Sequence, residues 1–340
     1  MRRLKNYLKI RPAAWLTLCL LFTALAAWAF VIEPRSLVVR EHQLSLPSWP
    51  STLHGLRVAV LADLHTGSPF NGLDKLERIV QETNQAQPDL ILIPGDIVVT
   101  GVVGGRFVPP ESIASTLRKL RAPVGVYAVL GNHDRGLDTE RIRRALNQAG
   151  IPTLEDHAML VSFRQKRLWL AGVSDFWTAG HKVKHTLTQV TTSDPVILFT
   201  HNPDIFPEIP NRVMLTIAGH THGGQVALPL VGRPIVPSEF GQRYAIGHIL
   251  EGNRHLFVSP GLGTSILPVR FGVPPEVSLL TIHSADRKRS QDISEVEPHG
   301  LPGMAPLESS KAGSMSSLPT LPKQTFELRR PGAKASARRL

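Results

Sequence analysis

Cysteine is nearly absent: 340 residues contain one, Cys19, and it lies inside an apolar run. The remainder therefore has no disulfide framework and no thiol nucleophile, and a chain of this length can bury a core without either. No G-x-S-x-G elbow follows any strand-like run, which leaves a serine hydrolase without support. Internal repeats are missing too. Acidic residues are outnumbered, 27 against 38 Lys+Arg, for a formal net charge of +11. The imbalance sits at the ends, because residues 1–12 carry five basic residues and no acid, and 284–340 carry ten against six. Residues 13–283 keep 23 basic and 21 acidic residues, so the body lacks the charge of a nucleic-acid groove and no nucleic-acid partner is expected.

What is present begins with AAWLTLCLLFTALAAWAFVI, twenty uncharged residues from Ala13 to Ile32, long enough to cross a bilayer core of about 30 Å as a helix. Arg2, Arg3, Lys5, Lys9 and Arg11 precede it, while only Arg35 and Arg40 follow closely. The positive-inside rule predicts residues 1–12 in the cytoplasm, a single span over 13–32, and the remainder outside the inner (cytoplasmic) membrane. Ala27-Trp28-Ala29 has the form of a signal-peptidase site, but the run exceeds the usual 7–15 residues of a cleaved signal, which favours a retained anchor. The pair Arg2-Arg3 fits twin-arginine export poorly. From 284 to 340 the patterning gives way to Ser, Pro, Gly, Lys and Arg, which predicts a disordered basic tail.

Between these ends, after a linker and first strand region at 33–54, a catalytic domain is expected over 55–283. Short β-branched runs recur at 56–62, 90–94, 124–130, 196–200 and 213–218, each the length of a strand buried on both faces. Runs at 167–174 and 255–260 look like further strands of the same or a second sheet. Helical patterns at 73–85 and 111–120 separate the first three runs, as an α/β layered domain requires.

The residues after each of the five runs carry the chemistry: Asp63-Leu64-His65, Gly95-Asp96, Gly131-Asn132-His133-Asp134, His201-Asn202 and Gly219-His220-Thr221-His222. Turn and capping preferences explain Asp, Asn and Gly singly, but not five histidines. Where parallel strands share a sheet, their carboxyl ends converge on one crevice and bring such residues together. Imidazoles, carboxylates and one amide oxygen, without thiolate, suit Zn²⁺, Mn²⁺ or Fe²⁺. Seven donors are too many for one ion and natural for two about 3.5–4 Å apart. Such a pair acidifies water into a bridging hydroxide and clamps phosphoryl oxygens.

The order D-x-H, G-D, G-N-H-D, H, G-H-x-H resembles the calcineurin-like metallophosphoesterase superfamily over about 55–283. The resemblance implies an α/β four-layer αββα sandwich with a dimetal site at the strand ends. It further implies that Asp63, His65 and His222 bind one metal, Asp96 bridges, and Asn132, His201 and His220 bind the other. His133 would touch the substrate phosphate as a proton donor, with Asp134 orienting it. Val99 stands where purple acid phosphatases carry the tyrosine that binds ferric iron, so no tyrosinate iron is expected, and His133 stands where cytoplasmic UDP-diacylglucosamine pyrophosphatases usually carry arginine, which argues against that branch. The anchor, GHTHGGQ and the block SPGLGTSILPVRFGVPPEVSLLTI resemble the YkuE/YaeI-like membrane-associated phosphodiesterases, near which a chlamydial-type lipid A pyrophosphatase also falls. A phosphodiester, phosphomonoester or pyrophosphate substrate, nucleotide- or lipid-linked, stays open. So does a non-catalytic phosphate- or lipid-binding module, although a degenerate module tends to have lost ligands.

Arg135, Arg243 and Arg270 lie in positions that could face the crevice and grip phosphate. The glycines of GLGTS at 261–265 suit a tight turn beside the metals rather than a dinucleotide loop. His181, His185 and His248 fall outside the pattern and read as ordinary surface or loop histidines.

Overall fold

The computed structural model describes residues 12–285. The expected cytoplasmic stretch 1–12 and the expected disordered tail from 284 lie outside the described residues, apart from Pro12, Ser284 and Ala285. Two sheets stack face to face. The first has the order β1 (Val38–Leu46), β11 (Glu276–Ser284), β2 (Leu56–Val60), β3 (Leu90–Pro94), β4 (Gly125–Val129). The second has the order β5 (His157–Phe163), β6 (Lys166–Val173), β7 (Val196–Thr200), β8 (Leu215–Ala218), β10 (Arg254–Val258), β9 (Gly247–Glu251). β2, β3 and β4 run parallel, as do β6, β7, β8 and β10, so the carboxyl ends in each sheet share one edge.

Central strands that are apolar on both faces need cover on both sides. Val58, Val60, Leu92, Phe199, Ile217 and Phe257 meet between the sheets. On the outer face of the first sheet, Ala59, Ile91 and Ile93 pack against α3 (Leu73–Gln85), α4 (Pro110–Leu117) and, after the single turn α5 (Asn132–Arg135), α6 (Thr139–Gln148). In α3 the buried positions Leu76, Ile79, Val80 and Thr83 recur at helical spacing, with Glu77 and Arg78 exposed between them. The fourth layer, over the second sheet, is thin. It consists of α7 (Val183–Thr188) and the 3₁₀ turns Pro203–Glu208 and Gly241–Tyr244, which cover Trp169, Val173, Leu198 and Val258. The fold is therefore the four-layer αββα sandwich, with helices on one side and mostly irregular chain on the other.

The N-terminal helix is one continuous rod from Ala13 to Arg35, with its apolar residues exposed to the surroundings. It comprises α1 (Pro12–Ala27), a π turn (Trp28–Ile32) and α2 (Glu33–Arg35). It is long and apolar enough to span a membrane, and it runs three residues beyond the expected end at Ile32. The π turn has a local cause. The Glu33 amide bonds back to Trp28 O and Pro34 has no N–H, so the Ala29 carbonyl has no donor within the helix. The Arg270 amide supplies one, at 2.9 Å.

Candidate metal centre and substrate cleft

All seven candidate ligands lie just beyond strand ends, where loop-to-loop hydrogen bonds continue the ladders. Asp63 N donates to Gly95 O, His65 N to Asp96 O and Gly219 N to His201 O. Asp63, His65, Asp96, His220 and His222 all have positive φ, between 38° and 71°. A left-handed backbone at a residue with a Cβ is strained, and its concentration here means that the surrounding contacts hold these side chains in place against that strain. The sheets are joined through the His220 amide, which lies 2.9 Å from each carboxylate oxygen of Asp63.

The side chains form two clusters, Asp63/His65/His222 and Asp96/His201/His220, linked by a third group, His65/Asp96/His133, that shares a residue with each; within each group the ligand atoms lie within 4.8 Å of one another. His65 Nε2 is 3.1 Å from His222 Nε2, and His220 Nδ1 is 3.1 Å from His201 Nε2. Asn132 Oδ1 lies 2.9 Å from His201 Nε2. Asp96 Oδ2 stands between the clusters, 3.4 Å from His65 Nε2 and 3.3 Å from His201 Nε2.

These residues fit divalent cations. Metal–ligand bonds of about 2.0–2.2 Å separate neighbouring ligand atoms by about 3 Å, the spacing seen here. His65 Nδ1, His222 Nδ1 and His220 Nε2 are buried without a partner, while the other nitrogen of each ring faces members of the clusters. That is a poorly satisfied arrangement for dry imidazoles unless cations share it. Burial, reinforced by neighbouring imidazoles, pushes His220 down to about 3 and His222 well below the ordinary histidine range, so both stay neutral, the ligating form. Burial also opposes charge on His201, but Asp96 and Asp63 outweigh it and lift His201 to about 10.

Close packing around the ligands requires glycine at two positions in the turn after β10. A Cβ on Gly261 would come within 2.8 Å of Asp63 Cβ, and one on Gly263 within 2.7 Å of His65 Cβ. The turn in GLGTS therefore lies against the ligand side chains themselves.

His133 is half-buried beside this centre. Its Nδ1 lies 2.6 Å from Thr100 Oγ1, its Nε2 3.4 Å from Ser265 Oγ, and its amide donates to Asp96 Oδ1 at 2.9 Å. Burial lowers its pKa against the pull of Asp96. Asp134 differs from expectation. It does not touch His133; its carboxylate accepts the amides of Ile97, Val98 and Gly131 and so ties the β3 loop to the β4 loop. Thr100 is the residue that orients the imidazole.

A cleft of about 270 Å³ opens over these groups, lined by Asp96, Asn132, His133, His220 and His222 and on its other walls by Trp177, Gln225, Ile235, Ser265 and Ile266. The three arginines expected at the crevice do not line it. Arg270 is fully buried and spends its guanidinium on the carbonyls of Pro260, Gly263 and Val273. Arg135 pairs with Glu155, and Arg243 pairs with Glu251 while stacking on Tyr244. Trp177, whose ring stands perpendicular to that of His220 with 4.3 Å between centroids, was not expected. It follows the carboxyl end of β6, where Asp175 accepts the Trp177 and Thr178 amides. The strand-end rule applied to that run would have found both. Of the remaining histidines, His181 pairs with Glu208, His185 lies in α7, and His248 is a surface residue, exposed on β9 and stacked on His255.

With this geometry in place, residues 56–224 match the model of the calcineurin-like phosphoesterase family. The chain belongs to that family. It is a metallophosphoesterase, a hydrolase of phosphoester bonds. It is 32% identical over 232 residues to the phosphodiesterase YaeI of Escherichia coli, an alignment covering 66% of this chain and 82% of the relative. To the metallophosphoesterase YkuE of Bacillus subtilis it is 29% identical over 262 residues, covering 76% and 90%. To the UDP-2,3-diacylglucosamine pyrophosphatase LpxG of Chlamydia trachomatis it is 26% identical over 310 residues, covering 74% and 91%.

Proposed function

We propose that the chain is a membrane-anchored phosphodiesterase working with two divalent cations, Mn²⁺, Zn²⁺ or Fe²⁺. The observation that carries this reading is the place of Asp96 Oδ2, within 3.4 Å of a donor in each cluster. Asp63, His65 and His222 would hold one cation, Asn132, His201 and His220 the other, and Asp96 both. Such a pair supplies Lewis acidity to phosphoryl oxygens and acidifies water. The chain's own residues arrange the rest. With Thr100 Oγ1 donating to Nδ1, His133 presents its Nε2–H to the cleft, where it can donate to the leaving oxygen. Asp134 acts beneath it by fixing the two loops. Trp177, Ile235 and Ile266 narrow the apolar approach to the same point.

The span Ala13–Arg35 and the basic residues before it support a single-pass orientation with the domain outside the cytoplasmic membrane. Alkaline phosphatase fused after Ser284 should be active; an inactive fusion of normal abundance would reverse the orientation. For the chemistry, the full chain loaded with Mn²⁺ should hydrolyse bis-p-nitrophenyl phosphate, and Asp96→Asn should lower kcat/KM by about 10³-fold or more with the fold intact. An unchanged rate would overturn the site assignment. A pyrophosphate, the bond named for the LpxG relative, offers the same centre similar oxygens and is the second substrate to assay.

A further inference from the structure

The mouth of the cleft carries apolar side chains that no other described residue covers. Ile235 and Ile266, both lining it, are 78% and 69% exposed, and Leu230 is fully exposed beside Val231 on the hairpin that precedes Ile235. Val103 projects from the loop after β3. These tips belong to three separate loops, and one of them, the strap of residues 260–273 that carries Ile266, bonds to the other two. Val103 N donates to Ile266 O at 2.9 Å, and Ala227 N, at the base of the hairpin, donates to Phe271 O at 2.7 Å.

The same strap carries the end of the apolar helix. Arg270 N donates to Ala29 O, the carbonyl that Pro34 leaves without a helical donor. Glu33 is buried and accepts the amides of Gly272 and Val273 and the indole N–H of Trp28. A span that begins at Ala13 and needs about 20 residues to cross the hydrocarbon ends at this point, so Trp28 to Glu33 lie at the bilayer boundary. Residues 270–273, bonded to them, lie there as well. Ile266 is four residues away, within about 14 Å even if the chain is fully extended. Apolar tips at that level meet headgroups and the first acyl carbons, not bulk water.

We infer that this apolar rim rests in the membrane surface, so that the cleft opens onto the bilayer and takes phosphodiesters or pyrophosphates of lipids whose chains stay in the membrane. The substrate class rests on the hydrolytic reading above, and the membrane contact on the membrane anchor proposed with it. The helix end sets the depth of the strap, the strap sets the depth of the rim, and the phosphate of a lipid in the same leaflet lies level with the cleft. A lipid could then reach His133 and the metal clusters by lateral movement, with its apolar part passing between Ile235 and Ile266.

The test uses the full chain in nanodiscs of phosphatidylethanolamine and phosphatidylglycerol, in a Cys19→Ser background with one new cysteine carrying an environment-sensitive fluorophore. At Leu230→Cys the label should be blue-shifted and quenched by doxyl lipids, and shielded from iodide. Leu250→Cys is the control. Leu250 is exposed on β9 and shares a pocket with Leu46 and Val213, at the amino-terminal end of the central strands and far from the cleft. There, iodide alone should quench. Equal iodide quenching at both positions would overturn the proposal. In the second arm, the double variant Leu230→Ser, Val231→Ser should lose about tenfold in rate on hexadecyl p-nitrophenyl phosphate in the disc and keep its rate on soluble bis-p-nitrophenyl phosphate. An equal loss on both substrates, or no loss on either, would overturn the substrate class. A parent chain inactive on both would instead remove the hydrolytic reading, and the fluorophore readout would still decide the membrane face.

Discussion

Asp63, Asp96, His201 and His220 follow directly on hydrogen-bonded strands, whereas residues 260–273 close the same cleft without a strand or helix of their own. The strand ends inherit their positions from two sheets with a shared core, and their left-handed backbones are held by bonds between neighbouring loops. The strap is organised around one buried side chain, Arg270, whose guanidinium gathers three carbonyls, and around the helix end that takes its amide. Substitution in the first region should therefore remove chemistry and leave the fold. In the second it should loosen structure, and the chemistry with it, because Gly261 and Gly263 pack on Asp63 and His65.

Arg270→Met tests this contrast most severely. It leaves the carbonyls of Pro260, Gly263 and Val273 buried without donors, at about 1–3 kcal/mol each, so stability should fall by about 3 kcal/mol or more. Thermal unfolding reads the loss, and hydrogen exchange should locate it in 260–273 before it reaches β7 and β8. A variant as stable as the parent would mean that the strap holds itself. His133→Gln is the counterpart from the strand-end side. It should lower kcat by about a hundredfold, which corresponds to about 2.7 kcal/mol in the barrier, with the melting temperature unchanged. The loss should shrink for esters whose leaving group needs no proton. A uniform loss for all leaving groups would assign His133 to binding instead.

The strand-end chemistry was legible in the sequence because buried strands leave a plain signature, an apolar run that stops at a polar residue. Five such stops carried histidine or aspartate, and parallel topology brought them together. Asp134 misled because a carboxylate beside a histidine in sequence need not face it in space; helical geometry turns it toward the Ile97 and Val98 amides. Arg270 misled because an arginine near a crevice and an arginine under one look alike in a sequence. Of the strap only the glycine turn at 261–265 was legible, as a turn beside the ligands; its remainder and the hairpin were not, since irregular chain has no period to read. The role of Pro34 becomes visible only when the donor of Ala29 is found on Arg270.

A smaller effect belongs to the joint between helix and domain. Lys75 is buried there and donates to Pro34 O at 2.7 Å, and burial, reinforced by Arg270 and Arg78, pushes its pKa down to about 7. The unfolded chain holds the proton up to its ordinary value near 10.5, so between pH 7 and 10.5 the unfolded state binds more protons than the folded one. Stability should therefore rise with pH across that window, by about 1 kcal/mol per unit, and be lost as pH falls toward 7. Unfolding of the full chain in detergent at pH 7, 8 and 9 measures the slope. Lys75→Met should flatten it, and the same slope in that variant would place the titrating group elsewhere.

Trp177 gives the mildest test and the one that separates shaping the cleft from acting in it. Its indole packs perpendicular to the His220 ring, yet the residue is half exposed and hangs from a loop that Asp175 holds. Replacing it with alanine removes an apolar wall without touching a ligand atom, and one such aromatic contact is worth about 1 kcal/mol. Trp177→Ala should raise KM severalfold for aryl and lipid diesters while kcat stays within about twofold. The opposite split, a lower kcat at constant KM, would mean that the indole positions His220 for the metal centre. Trp177 would then belong with the strand ends, and the loops over the second sheet would take part in the chemistry as well as in access to it.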